Sequence, residues 1–85
     1  MEIEFTHQAK EDLAYWQKTK NNTVLKKIRR LIESTLESPF SGLGKPEPLR
    51  YNLSGCWSRR ITDEHRMIYE VQKQKLIILS LKGHY

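Results

Sequence analysis

The sequence predicts an α+β domain, a helical pair packed on one face of an antiparallel sheet in the order β-α-α-β-β-β-β. Three observations predict it. Apolar residues recur at helical spacing up to residue 36, then at period two from residue 49 onward. Between these regions lies the only long loop, residues 39–48, which holds three prolines and two glycines. Helices followed by a run of strands, rather than alternating with them, segregate to one side of an antiparallel sheet.

Each element follows from its residues. Ile3 and Phe5 alternate with Glu2 and Glu4, the period of a half-buried strand. Thr6 can cap a helix whose apolar stripe is Ala9, Leu13 and Trp16, widened by Tyr15. The polar stretch Lys18–Asn22 breaks it, and Asn22 or Thr23 can cap a second helix. There Val24, Leu25, Ile28, Leu31, Ile32 and Leu36 form one face, with Lys26, Lys27, Arg29, Arg30 and Glu33 on the other. Ser38-Pro39 ends it, because proline lacks an N–H and disfavours helix at the residue before it.

After the loop, Leu49, Tyr51 and Leu53 alternate with Arg50 and Asn52 as a strand, and Ser54-Gly55 turns. Cys56–Thr62, Arg66–Gln72 and Lys75–Lys82 complete a meander, with turns at 63–65 and 73–74. The last strand, through Leu76-Ile77-Ile78-Leu79-Ser80-Leu81, is apolar on both faces, which places it inside the sheet. No repeat or low-complexity tract is present.

The chain has 85 residues, which makes one domain spanning residues 1–85. No apolar run approaches the roughly 20 residues of a membrane span, and no basic n-region precedes an apolar stretch, so neither membrane nor signal peptide is expected. Cys56 is the single cysteine, which excludes an internal disulfide and fits a reducing cytoplasm. Net charge is +5. Between residues 41 and 60 four bases (Lys45, Arg50, Arg59, Arg60) face the single acid Glu47. A basic central segment suits a polyanion, of which nucleic acid is the commonest.

Phosphate loops, zincin motifs and nucleophile elbows are missing from the sequence. His7, His65 and His84 have no metal-ligand spacing, so no metal or cofactor is expected. Cys56 reads as a plain strand residue. Glu47 lies between Pro46 and Pro48, and preceding a proline should hold both Lys45 and Glu47 extended, so the loop would place a carboxylate accurately. Arg59 and Arg60 are adjacent on a strand and point to opposite faces; one is expected to be solvated or structurally paired, the other to meet phosphate. Arg66 opens the next strand, and His84-Tyr85 follows directly on the buried one. Cleaving RNA without a metal needs a base for the 2′-hydroxyl, an acid for the 5′-oxygen and cations at the phosphate. Glu47, His84, Arg60 and Arg66 supply these types, and Tyr85 can stack a base or bond a phosphate.

The segments Lys45–Leu49, Asn52–Gly55, Trp57–Arg66 and His84-Tyr85, together with Tyr15-Trp16-Gln17 and Ser38-Pro39-Phe40, resemble the YoeB/Txe toxins of the RelE-like superfamily. The resemblance spans essentially the whole chain. It implies a twisted antiparallel sheet with two N-terminal helices on one face, and a ribosome-dependent mRNA endonuclease acting in the ribosomal A site. It implies Glu47 as general base, His84 as general acid, Arg66 as stabiliser of the pentacovalent phosphate with Arg60 near it, and Tyr85 as an orienting group. Lys45, Arg50 and Arg59 would contact mRNA or ribosomal RNA. The implied partners are a YefM/Phd-type antitoxin, operator DNA only through that complex, and a second copy of the chain in a homodimer. Two other readings fit the composition: a basic RNA- or ribosome-binding module without catalysis, and a DNA-binding co-repressor that acts only in complex.

Overall fold

The computed structural model describes residues 1–83, and the alternation at Glu2–Phe5 does form the first strand, β1. Its partner is remote in sequence. β1 pairs in parallel with the last strand, β5 (Lys75–Ser80), with Ile3 opposite Leu76 and Phe5 opposite Ile78. The sheet is therefore mixed, which corrects the all-antiparallel expectation. The reason is the path of the chain. After the helices it starts a meander at the far edge with β2 (Glu47–Pro48) and steps back through β3 (Cys56–Arg60) and β4 (Arg66–Gln72). β5 then arrives beside β1 running the same way, giving the order β1-β5-β4-β3-β2. The strand expected in the interior is indeed there, with Leu76 and Ile78 fully buried.

Thr6 begins α1 (His7–Lys18) as expected. Its hydroxyl oxygen accepts from the Ala9 amide at 3.1 Å and donates to the Leu79 carbonyl at 2.8 Å, so one cap also ties the helix to β5. α2 (Asn22–Glu37) starts before the expected cap at Asn22 or Thr23, because Lys20, at φ 55°, turns the chain and delivers Asn21 as the cap. It ends at Ser38-Pro39 as predicted. The buried faces are Ala9, Asp12 and Trp16 on α1 and Val24, Ile28, Leu31 and Thr35 on α2. Thr35 donates its hydroxyl to the Leu31 carbonyl at 2.7 Å, which satisfies it in the core.

Leu49–Leu53 is not a strand. Pro48 has no N–H, and after the Leu49 amide bonds the Cys56 carbonyl the chain leaves the ladder. Its backbone groups are met locally, Leu53 to Arg50 and Ser54 to Tyr51, in a single 3₁₀ turn over Tyr51–Leu53. Tyr51 sits at φ 59° with its side chain exposed. The hairpins β3–β4 and β4–β5 keep the expected pairing. A bulge places Ile68 opposite Ser80 but Tyr69 opposite Ile78, leaving Leu79 as the extra residue. Bulges bend the strand that carries them, here just before the chain runs on to residues 81–83.

Candidate active site

Register assembles the site. Glu47 lies opposite Ser58, and Arg60 opposite Arg66. Directly opposed residues of antiparallel strands share a face, as do Ser58 and Arg60 two apart on one strand. That face is the one without helices, because Arg59 between them points the other way, into α2. Lys45, Glu47, Ser58, Arg60 and Arg66 thus line one polar crevice of about 60 Å³. Two larger surface depressions share lining residues with it. One, of about 340 Å³, shares Lys45 and Arg60 and adds Lys27. The other, of about 610 Å³, runs along Glu47–Leu53 and includes Arg50 and Tyr51.

The loop that carries Glu47 is built by glycine and arginine. Gly44 (φ 84°) and Lys45 (φ 52°) are both left-handed, so Lys45 is not extended as its place before Pro46 suggested. The turn lets the Gly44 carbonyl accept from the Arg60 amide at 2.7 Å, fastening the loop to the end of β3. A Cβ at Gly44 would sit 2.6 Å from Leu31 Cδ2 and 3.2 Å from the Arg60 carbonyl oxygen. Glu47 itself is in extended backbone, as predicted, and exposed.

Arg59 is fully buried and is no RNA contact, which corrects its assignment. All five of its N–H donors are engaged. Nε donates to Tyr69 Oη, Nη1 to Ser34 Oγ and the Leu43 carbonyl, and Nη2 to the carbonyls of Ser38 and Ser41. Ser38 caps the C-terminus of α2, a helix with no basic residue in its last turn. Arg59 supplies the cation for that negative dipole end from a neighbouring strand. Tyr69 completes the cluster by donating to the Pro39 carbonyl at 2.7 Å. Burial pushes its phenol pKa up, partly offset by the bond from Arg59 and its charge.

Arg66 differs from Arg59. Its Nη1 bonds the carbonyls of Thr62, Asp63 and His65, which anchors the guanidinium at the crevice. Among the described residues Nη2 and Nε have no hydrogen-bond partner, and no side chain forms an ion pair with Glu47. The arrangement offers one carboxylate and three cationic groups around a space of phosphate size. Cys56 lies outside the crevice lining, and burial, then the charge of Glu70 opposite, raise its pKa, so the thiol stays protonated. Among the described residues no group of three His, Cys, Asp or Glu could hold a metal ion.

Two groups lie outside the predicted site residues. His65 accepts at Nδ1 from the Gly83 amide at 2.8 Å and packs edge-on against Trp16. Asp12 accepts at Oδ2 from the Leu81 amide at 2.9 Å. An acid on the stripe of Ala9 and Trp16 was the available signal for Asp12. His65 had none, since its partner is 18 residues away. His84 and Tyr85 lie outside the described residues.

Among the described residues, a helical pair on a five-stranded mixed sheet, with a basic crevice on the open face, gives the α+β architecture of the RelE-like fold. Residues 5–85 match the family model described as "YoeB-like toxin of bacterial type II toxin-antitoxin system". Toxin YoeB of Escherichia coli K12 is 47% identical over 85 residues, covering all of both chains. The solved YoeB/ParE toxin from Agrobacterium tumefaciens superposes with a TM-score of 0.96 at 40% identity, again over both whole chains. A YoeB–YefM complex from Staphylococcus aureus gives 0.90 at 43% identity, over 100% of this chain and 98% of that one. The chain belongs to the YoeB-like toxins of type II toxin–antitoxin systems. No helix among the described residues is long and apolar enough to cross a membrane.

Proposed function

We propose that this toxin is a ribosome-dependent endoribonuclease that cuts mRNA in the ribosomal A site and so stops translation. The observation that carries the reading is the convergence of Glu47, Arg60 and Arg66 on one crevice. Glu47 takes the proton of a 2′-hydroxyl, and the 2′-oxygen attacks the adjacent phosphorus. Arg66, through the guanidinium nitrogens not tied to carbonyls, and Arg60 neutralise the charge that builds on the phosphoryl oxygens. His84 donates a proton to the departing 5′-oxygen, and Tyr85 orients the substrate or His84. The products are a 2′,3′-cyclic phosphate and a 5′-hydroxyl, and no cofactor takes part.

The basic depressions beside the crevice carry Lys27, Lys45, Arg50 and Arg60, a track for the backbone of mRNA or ribosomal RNA. Tyr51, 89% exposed at the rim, presents a ring to a base. A YefM-type antitoxin neutralises the toxin, in line with the YoeB–YefM complex, and operator DNA is reached only through that pair. A second copy of the chain is a further partner, in line with the solved S. aureus YoeB dimer. The protein acts in the cytoplasm.

The test is to add the purified toxin to ribosomes stalled on a defined message and map the ends of the mRNA. Cuts at the A-site codon, with cyclic-phosphate ends and no effect of chelator, are expected. Translation arrest with intact message would instead identify a non-catalytic ribosome binder.

A further inference from the structure

Residues 81–83 leave the end of β5 and are gripped from several sides. Asp12 Oδ2 accepts from the Leu81 amide at 2.9 Å, and Trp16 Nε1 donates to the Leu81 carbonyl at 2.9 Å. The Lys82 ammonium lies 3.9 Å above the Tyr15 ring. The Gly83 amide donates to His65 Nδ1 at 2.8 Å, and the Gly83 carbonyl accepts from the Arg66 amide at 3.0 Å. A short segment beyond its last strand would ordinarily fray. Here every backbone polar group of Leu81 and Gly83 has a partner, and two of those partners come from one turn of α1.

His65 is the keystone of this arrangement. Its ring lies 4.9 Å from Trp16, at 81°, so one helix residue both bonds Leu81 and buttresses the imidazole that bonds Gly83. Accepting at Nδ1 needs a lone pair there, so the ring carries its proton on Nε2. His65 is also adjacent to Arg66, and its carbonyl accepts from Arg66 Nη1 at 3.2 Å. The residue that bonds the C-terminal segment therefore also anchors the crevice guanidinium.

We propose that His65 is a positioning residue, whose Nδ1 bond to Gly83 fixes how the backbone stands at Gly83 relative to Arg66 and Glu47. The proposal rests on the nuclease reading above, because it gives the clamp a catalytic purpose. Misplacing a reacting group by an ångström can cost on the order of 10²-fold in rate.

The test uses the full chain. His65→Leu keeps an apolar surface against Trp16 and removes the acceptor; His65→Asn returns an oxygen near the Nδ1 position. In a third protein, assembled by ligation at the Gly55–Cys56 junction, an ester replaces the Lys82–Gly83 amide. That change removes the donor and leaves every side chain in place. His65→Leu and the ester should exchange or lose the Gly83 bond and cut programmed ribosomes about 10²-fold more slowly at saturation, with ribosome affinity unchanged. His65→Asn should recover most of that rate and restore protection of the Gly83 amide from hydrogen exchange. Cleavage at the wild-type rate by the ester protein overturns the proposal, whether or not His65→Leu folds. If the wild-type chain cuts no message, the nuclease reading falls. The clamp is then judged by Gly83 protection alone, which His65→Leu must abolish and His65→Asn must keep.

Discussion

Arg59 Nη2 lies 2.6 Å from the carbonyl oxygen of Ser38, the residue that caps the C-terminus of α2. One strand residue thereby closes a helix and also holds the carbonyls of Ser41 and Leu43, which lead into the loop carrying Glu47. Removing it would strand several acceptors, most of them partly buried, each worth about 1–3 kcal/mol when left unmet. Arg59→Ala should therefore cost at least about 3 kcal/mol, or a melting shift of about 12 °C or more for a domain of this size. Arg59→Lys should not rescue it, since three donors on a point charge cannot satisfy a five-donor fork. Thermal unfolding of the two variants checks this. A normal melt with weakened ribosome binding would return Arg59 to the RNA surface.

Gly44 is the second structural requirement of the same loop. Alanine there must adopt φ 84° and place its Cβ 2.6 Å from Leu31 in the core. The conformational term alone is about 1–2 kcal/mol, and the contact with a packed leucine adds to it. Gly44→Ala should lower the melting temperature by about 8 °C or more. Gly55, at φ 95° but with open space around it, should lose less as alanine. Equal losses at the two sites would show that strain, not the approach to Leu31, sets the cost.

Much of this was legible in the sequence, and the failures have physical reasons. Helix faces, the stop at Pro39 and the buried last strand follow from local spacing, which one chain displays directly. That Arg59 and Arg60 face opposite ways was legible too. Which of them turns inward was not, because it depends on the carbonyls that the cap of α2 and the loop after it present to Arg59. The parallel pairing of β1 with β5 was hidden for the same reason: no local pattern records which strand a meander ends beside. At Lys45 the preference set by Pro46 was overridden by the bond from the Arg60 amide to Gly44. Of the crevice, Lys45, Glu47, Arg60 and Arg66 were legible as residue types; Ser58 and the bond between His65 and Gly83 came only with the register.

Glu47 and Arg66 should separate in kinetics. Glu47→Gln keeps the shape of an exposed side chain between two prolines, so folding should be unaffected. General-base assistance is worth about 10²–10⁴-fold, and single-turnover cleavage on the ribosome should fall by that factor. Arg66→Ala should fall at least as far. An Arg66 variant that cuts normally once bound would give it a docking role instead.

The cationic track should appear in the salt dependence of ribosome binding. Each phosphate contact releases counterions, so affinity falls steeply as salt rises. Arg60→Ala, Arg50→Ala and Lys45→Ala should each reduce the magnitude of the slope of log affinity against log salt by about 1. Arg59 variants that fold should leave the slope unchanged, because all five donors face inward. A slope insensitive to all three exposed residues would make the basic surface a solvated face only.

Deleting His84 and Tyr85 should separate chemistry from folding. The 1–83 chain keeps the Leu81 bonds to Asp12 and Trp16, the Lys82 contact with Tyr15 and both backbone bonds of Gly83. It also keeps the buried side chain of Leu81. Its melting temperature should therefore stay within a few degrees of the full chain, since no buried contact of residues 1–83 is removed. The same deletion takes away the proposed acid for the 5′-oxygen, worth about 10²–10⁴-fold on its own, together with the group proposed to orient substrate. Cleavage should nearly vanish while ribosome affinity, proposed to rest on Lys45, Arg50 and Arg60, persists. Comparing melting, ribosome binding and single-turnover cleavage of the two chains decides it. A folded 1–83 chain that still cuts at the full rate would place the acid among the described residues and remove His84 from the mechanism.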